Sequence, residues 1–381
     1  LDAVALTGLP AHSEEARNRR QIAIWLLSCC VLVFSMVVLG GVTRLTGSGL
    51  SMVEWEPISG VLPPQGESGW EAEFARYRQS PEYQKVNLGM TLTEFKFIFW
   101  FEYAHRLLGR ALGLVFLLPF LYFLIRAKIE RALLPRLIFV FLLGGLQGLL
   151  GWYMVKSGLI DNPHVSQYRL AAHLTVAVAA YGYMFWLALG LLGRPPVPVA
   201  STHLRTSTLK GIALLVTPLV VFTMLSGAFV AGLKAGLAYN TFPKMGDVWI
   251  PAGLFVLDPF YRNFFENIVT VQFQHRVLAM LVLSSVVMLW FLARRHAPSQ
   301  GTRIGSHLLL AMTLLQLGLG ITTLLLYVPI PLAAAHQANA LFVFTVALYL
   351  NHTLQTSRNS PREAPRRAQG KGRHTQELRN T

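Results

Sequence analysis

The chain has almost no cysteine and little charge. Its two cysteines, Cys29 and Cys30, are neighbours inside one apolar run. That excludes a structural disulfide framework and any cluster ligated by cysteine thiolates, and the pair reads as small core or lipid-facing groups. Charged residues are 13% of the 381, against 53% hydrophobic. This is about half the charged share of a soluble domain, so an ordinary soluble globular protein is excluded. Acidic residues are the scarcer sign, 18 against 33 Lys and Arg, which leaves a net charge of +15.

What the sequence does have is long apolar runs. Eight are long enough to cross roughly 30 Å of hydrocarbon: about Ile22 to Val42, Phe97 to Ile125, Leu137 to Val155, Leu170 to Leu192, Gly211 to Gly232, Ile268 to Leu292, Ile304 to Tyr327 and Leu332 to Leu350. The expected fold is all-α and integral to the membrane, with eight transmembrane helices. The first run follows Arg17, Arg19 and Arg20 without a small-residue cleavage site, so it is expected to stay as a span rather than be removed as a signal. The termini and the loops after the second, fourth and sixth runs hold 20 Lys/Arg against 6 Asp/Glu, and the remainder holds 13 against 12. The positive side is expected to be cytoplasmic, with both termini there, in a bacterial inner membrane or facing a mitochondrial matrix. This sorting accounts for the basic charge without a nucleic-acid partner. The basic tail from Arg358 to Arg379 reads as disordered and held near anionic headgroups.

Residues 22–192 and 211–350 read as two copies of one unit. Gly40, Gly49-Leu50 and Pro64 match Gly227, Gly236-Leu237 and Pro251 at one offset of 187, and Leu146-Gln147 with Gly151 matches Leu315-Gln316 with Gly320. Each copy has an even number of spans, so both enter from the same side. Two tandem four-helix bundles related by a pseudo-two-fold axis along the membrane normal follow. Residues 1–21 precede the first bundle, 193–210 link the two on the cytoplasmic side, and 351–381 form the tail. A long outer loop, 43–93, is predicted to carry a short helix around Trp70 to Gln79. Thr91 and Glu94 have the spacing of a capping box.

Four histidines, His105, His173, His275 and His336, lie just inside the starts of the second, fourth, sixth and eighth runs. An unpaired imidazole there has no water to bond, and two come from each bundle, so the four read as a metal-ligand set with interhelical hydrogen bonding as the alternative. One turn after them stand Gly109, Ala177, Ala279 and Ala340, where a flat ligand could lie on bare backbone. Paired neutral imidazoles without carboxylate or thiolate partners suit iron in a porphyrin. His164 falls in an outer loop, and His12, His203, His296, His307, His352 and His374 fall at or beyond the cytoplasmic ends, as solvated or interfacial groups.

The copies differ at one position. Glu102 precedes His105 by three residues, where Gln272 precedes His275. A carboxylate in the apolar zone is costly unless used, so chemistry is assigned to the first copy and passive electron transfer to the second. The alternative for Glu102 is an ion pair with Arg106 or Arg110. Those arginines and Arg276 are equally suited to acidic ligand groups such as haem propionates, and Trp100, Phe101 and Tyr103 to walling a porphyrin or forming an interfacial belt. Spacing alone does not choose among quinol oxidation, haem modification and transmembrane electron transfer.

The runs Gly40-Gly41-Val42-Thr43-Arg44-Leu45-Thr46-Gly47-Ser48-Gly49-Leu50 and Glu102-Tyr103-Ala104-His105-Arg106, with Ala172-His173, Gln274-His275-Arg276 and Ala335-His336, resemble the haem A synthase family over about residues 22–350. The resemblance implies that a methyl substituent of haem O is oxidised to a formyl group, by way of an alcohol and a hydrated aldehyde, giving haem A for terminal oxidases. It implies that His275 and His336 ligate a haem b, that His105 and His173 flank the substrate haem, and that Glu102 is the catalytic carboxylate. Some bacterial members carry an outer-loop cysteine pair that this chain lacks, which aligns it with the mitochondrial and Gram-negative type. Implied partners are haem O, an external electron acceptor or donor, and, as neighbours, haem O synthase and terminal oxidase assembly factors. Oligomeric state, including a homo-oligomer, stays open. The rival readings are a di-haem quinol cytochrome and a transporter of repeated halves.

Overall fold

The computed structural model describes residues 9–55, 59–160, 163, 165–193 and 203–356. The basic tail, His164 and His374, most of the linker between the copies, and the side chains of His12 and His203 lie outside the described residues.

Regular structure among the described residues is helical apart from an isolated bridge between Met245 and Val248. Eight helices are long and apolar enough to span a membrane: α1 (Leu9–Leu45), α4 (Leu92–Ile125), α5 (Leu134–Gly158), α6 (Gln167–Leu192), α7 (His203–Gly232), α9 (Ile268–His296), α10 (Gln300–Leu325) and α11 (Ile330–Thr356). Between them lie short helices α2 (Gly66–Arg78), α3 (Pro81–Lys85) and α8 (Asn263–Glu266). All eight expected runs are helical, most of them lengthened at one or both ends; α10 stops at Leu325, two residues short of the expected Tyr327. The chain is an integral membrane protein. Pro119 and Pro218 sit inside α4 and α7, as membrane helices tolerate where neighbours re-satisfy the backbone.

The neighbour relations repeat. In the N-terminal half α1 packs on α4 and α6, and α5 on α4 and α6; in the C-terminal half α7 packs on α9 and α11, and α10 on α9 and α11. The seam obeys the same exchange: α6 packs on α7, α11 on α1, and α6 on α11. That is the contact pattern of two four-helix bundles about a two-fold axis. The seam is closed by small residues and buried hydrogen bonds, the means available where lipid removes any hydrophobic drive between helices. Gly182 faces the ring of Phe344, Tyr181 Oη meets Thr345 Oγ1 at 2.7 Å, and Gln337 Nε2 donates to the carbonyl of Val37 at 2.6 Å.

Helix starts on the histidine side are fixed by side-chain caps. The expected capping box is present: Thr91 Oγ1 accepts from Glu94 N at 3.3 Å, and Glu94 Oε2 accepts from Thr91 N at 2.8 Å. Asn267 caps α9 and ties it to the preceding loop through Gly253 O. The long first loop folds onto α4 through its own small core of Met52, Phe74, Tyr77, Phe95, Ile98, Phe99 and Tyr103. α2 occupies the place expected for a short helix; α3 was not anticipated. Tyr103 donates to Val61 O at 2.7 Å and packs on Phe99 and Trp100. Tyr103 belongs to the loop's core, Trp100 packs at its edge on Trp70 and Phe99, and Phe101 packs on Phe97; none of them borders the cavity, so of the two places the sequence leaves open to them, walling a ligand is corrected.

Candidate functional site

One cavity of about 2070 Å³ runs through both bundles and is bordered by all four histidines. It is roughly twice the volume of the larger single small-molecule pockets, near 1,000 Å³. Gly109, Ala177, Ala279 and Ala340, one turn after each histidine, also border it, as the i, i+4 spacing requires.

Each imidazole is met by a glycine from a neighbouring helix. A Cβ on Gly40 would stand 2.9 Å from His105 Cε1, one on Gly151 3.4 Å from His173, one on Gly227 3.3 Å from His275 and one on Gly320 2.9 Å from His336. These are the glycines that mark the internal repeat. Their duplication has a physical cause: each removes a side chain that would press on a ring. The buried Nδ1 atoms of His105, His173 and His275 have no hydrogen-bond partner. Interhelical hydrogen bonding, the alternative to a ligand set, reaches the His336 ring from Gln316 but leaves these three nitrogens unpartnered.

The rings of His275 and His336 lie 6.5 Å apart between centroids, 74° between planes. That separation leaves room for one metal atom between the rings at metal–nitrogen distances of about 2 Å. Among the described residues no group of three or more His, Cys, Asp or Glu is placed to hold a bare ion. Paired imidazoles, glycine-cleared faces and a double-sized apolar cavity fit iron macrocycles rather than isolated ions.

The His336 ring is braced. Gln316 Nε2 lies 3.2 Å from its Nδ1 and donates to its backbone carbonyl at 3.0 Å, while Asn339 Nδ2 donates to Gln316 Oε1 and to Met312 O, both at 2.9 Å. The repeat places Gln147 opposite His173, but Val176 stands where Asn339 would be, and Gln147 Oε1 has no partner. The C-terminal imidazole is held by a two-residue relay that the N-terminal one lacks.

Glu102 is 3% exposed and fully engaged. Its Oε2 accepts from Ser51 Oγ at 2.8 Å and Met52 N at 2.9 Å, and its Oε1 from Arg106 Nε at 3.0 Å and Nη2 at 2.5 Å. Arg106 also donates to Met52 O and Glu54 O. The ion-pair reading of Glu102 is thus present in the structure. The other half shows what the pair is not needed for. Arg276 grips Tyr239 O and Thr241 O, the positions equivalent to Met52 and Glu54, yet its helix carries Gln272, which donates to Tyr239 O. The loop clamp therefore works without a carboxylate. Ser51, which sequence reading passed over, has Ala238 as its equivalent, so the hydroxyl donor and the carboxylate occur in the same half.

Arg44, Arg106, Arg110, Lys234 and Arg276 border the cavity near the loops. Glu82, on α3, borders it too and was not singled out from sequence. A Pro-Glu-Tyr in a polar loop looks solvated; the flanking Tyr77 and Tyr83 are the signal that it is not.

A duplicated helical bundle with two pairs of imidazoles around one large cavity defines an integral membrane protein whose site has the chemistry and size for iron porphyrin. Comparison with known sequences narrows the class. Residues 23–348 match the model of the COX15-CtaA family, cytochrome oxidase assembly protein, and the chain belongs to that family. It is 55% identical over 334 residues to the Heme A synthase of Nitrosomonas eutropha, covering 88% of this chain and 94% of that one. It is 50% identical to Heme A synthase COX15 of Arabidopsis thaliana, over 88% and 75% of the two chains. Against Heme A synthase COX15 of Homo sapiens it is 49% identical, over 91% and 85%.

Proposed function

We propose that this protein is a haem A synthase that oxidises a methyl substituent of haem O to a formyl group, with the substrate in the N-terminal half and a haem b in the C-terminal half. The observation that carries the reading is the contrast between two otherwise repeated sites. The half with Glu102 has an unbraced imidazole partner, as an exchanging substrate needs, and the half with Gln272 has a braced one, as a resident cofactor needs.

His275 and His336 would hold the haem b, which when bound supplies one-electron transfer. His105 and His173 would orient the substrate haem, and the cavity arginines would meet its propionates. Glu102, held in place by Arg106, Ser51 and the Met52 amide, presents its carboxyl group where positive charge develops on the reacting carbon. The apolar helices exclude water from the remainder of the cavity. The charge sorting of the loops puts both termini on the cytoplasmic side and the histidines toward the other face. Haem O synthase, oxidase assembly factors and an external electron acceptor are the partners this activity calls for.

The test is porphyrin extraction and mass identification from purified protein and its variants. Wild type should carry tightly held haem b with substoichiometric haem O or haem A. Two equal b haems would instead mean a di-haem cytochrome. Glu102→Gln keeps the shape of the side chain and removes its charge, so haem A should fall about 10²-fold or more while haem O or its alcohol accumulates and the haem b spectrum stays. Undiminished haem A would overturn the role of Glu102. His275→Ala or His336→Ala should remove the haem b spectrum.

A further inference from the structure

Glu82 lies in the outer loop, 7% exposed, on the border of the same cavity as Glu102. Ser80 caps its helix by accepting from Tyr83 N at 3.2 Å. Its Oε2 accepts a long hydrogen bond, 3.4 Å, from Tyr77 Oη, which in turn accepts from Asn87 Nδ2 at 2.7 Å. The aromatic stack of Tyr77 on Phe95 fixes this arrangement against α4.

The two carboxylates contrast in how they are held. Glu102 has four hydrogen bonds, two of them from a guanidinium, so its oxygens are all taken up by the protein. Among the described residues Glu82 has the Tyr77 hydrogen bond and no ion pair, so no ion pair there breaks when it gains or loses a proton. It also sits between the cavity and the loop side, with Lys85 and Val86 of the same segment bordering the cavity beside it. Resting on the function proposed above, we propose that Glu82 is the proton acceptor for the substrate site: as a methyl C–H bond is replaced by a C–O bond from water, two electrons leave to the external acceptor, and Glu82 takes up the released protons in turn and passes them to the aqueous face of the loops.

The groups facing it are Tyr77 from α2 and Glu102 from α4; the cations Arg44 from α1 and Lys85 from its own helix border the same cavity. Burial first, then the Glu102 charge, push the Glu82 carboxyl up to about 8, with the Tyr77 hydroxyl acting the other way. A group near ambient pH exchanges protons in both directions with little driving force wasted.

The experiment compares wild type, Glu82→Gln and Glu82→Asp as purified haem-loaded enzyme, following haem O conversion between about pH 6 and pH 9. Gln mimics the protonated acid, so the two rates should converge at the acid end, and wild type should exceed Glu82→Gln about tenfold or more at the alkaline end. Glu82→Asp should restore part of the rise. Tyr77→Phe removes the donor that favours the anion, and should move the wild-type rise to higher pH. A ratio of wild type to Glu82→Gln that is constant with pH, or a flat wild-type profile, overturns the proposal. Should Glu82→Gln fail to accumulate, the wild-type profile and its displacement in Tyr77→Phe decide the matter alone. No conversion by wild type at any pH would instead bring down the functional reading itself, and a retained haem b spectrum in all variants separates the two failures.

Discussion

Gly320→Ala adds one methyl group where the structure gives it no room. The new Cβ would stand 2.9 Å from His336 Cε1 and 3.4 Å from its Nδ1, whereas carbon atoms rest at about 3.5–4.0 Å. Alanine is also about 1 kcal/mol the better helix former. With no ligand bound, the ring relieves the overlap by leaving its rotamer minimum at about 0.5–1.5 kcal/mol, so the two terms nearly cancel and the unloaded fold is barely changed. With iron between His336 and His275 the ring is held from both sides. The overlap then costs the usual about 1–3 kcal/mol of an overpacked core, which weakens haem binding by roughly 5- to 150-fold. Haem b per polypeptide and its dissociation rate after purification measure this, with thermal unfolding of the haem-free protein as the companion. Gly318→Ala is the control: it lies on the same helix, a Cβ there meets nothing within 4 Å, and it should leave haem content unchanged. Full haem content and wild-type dissociation in Gly320→Ala would refute the idea that the repeated glycines exist to clear the imidazoles.

Two further outcomes follow from the same geometry. Asn339→Val gives the C-terminal half the residue its counterpart has at Val176, removing the brace on Gln316; loss of an outer-shell partner of this kind typically costs 10- to 100-fold in affinity, read as faster haem b release with little effect on helix content. Ser51→Ala removes one of four donors to Glu102, a bond to a charged group worth about 1.5–3 kcal/mol; hydrogen exchange around residues 48–54 should rise and turnover fall, while Ala238→Ser in the other half changes neither.

The eight helices were legible because each is a long apolar run, and the four histidines because imidazole is out of place in one. The repeat was legible too, but its cause was not. Gly40 and Gly151 matter for rings on other helices, His105 and His173, and sequence spacing carries no information about which face of α1 meets which face of α4. The same limit hid Ser51, whose hydroxyl reaches a carboxylate 51 residues away, and the Asn339–Gln316 brace. Sequence leaves Trp100, Phe101 and Tyr103 either at the ligand or in an interfacial belt. Helical geometry turns Tyr103 into, and Trp100 onto the edge of, a loop core that only the folded chain creates, and Phe101 toward Phe97.

The comparison between halves argues further than either half alone. Duplication starts with two equal sites, so what both still share is what any haem-holding bundle of this design requires: imidazoles, opposing glycines and an arginine gripping the loop carbonyls. What differs is what the division of labour requires. On α4 and its loop the differences are coupled, Glu102 with Ser51 against Gln272 with Ala238, because a buried carboxylate needs donors and an amide donates for itself. On α11 the coupled difference is Asn339 with its bond to Gln316, against Val176 and an unpartnered Gln147 oxygen. On the proposed function, each half thus puts its distinctive polar group to a different use, charge beside the substrate and rigidity beside the resident cofactor. Exchanging Glu102 and Gln272 without moving Ser51 and Ala238 would therefore not exchange the roles: it would leave a new carboxylate at 272 short of a donor.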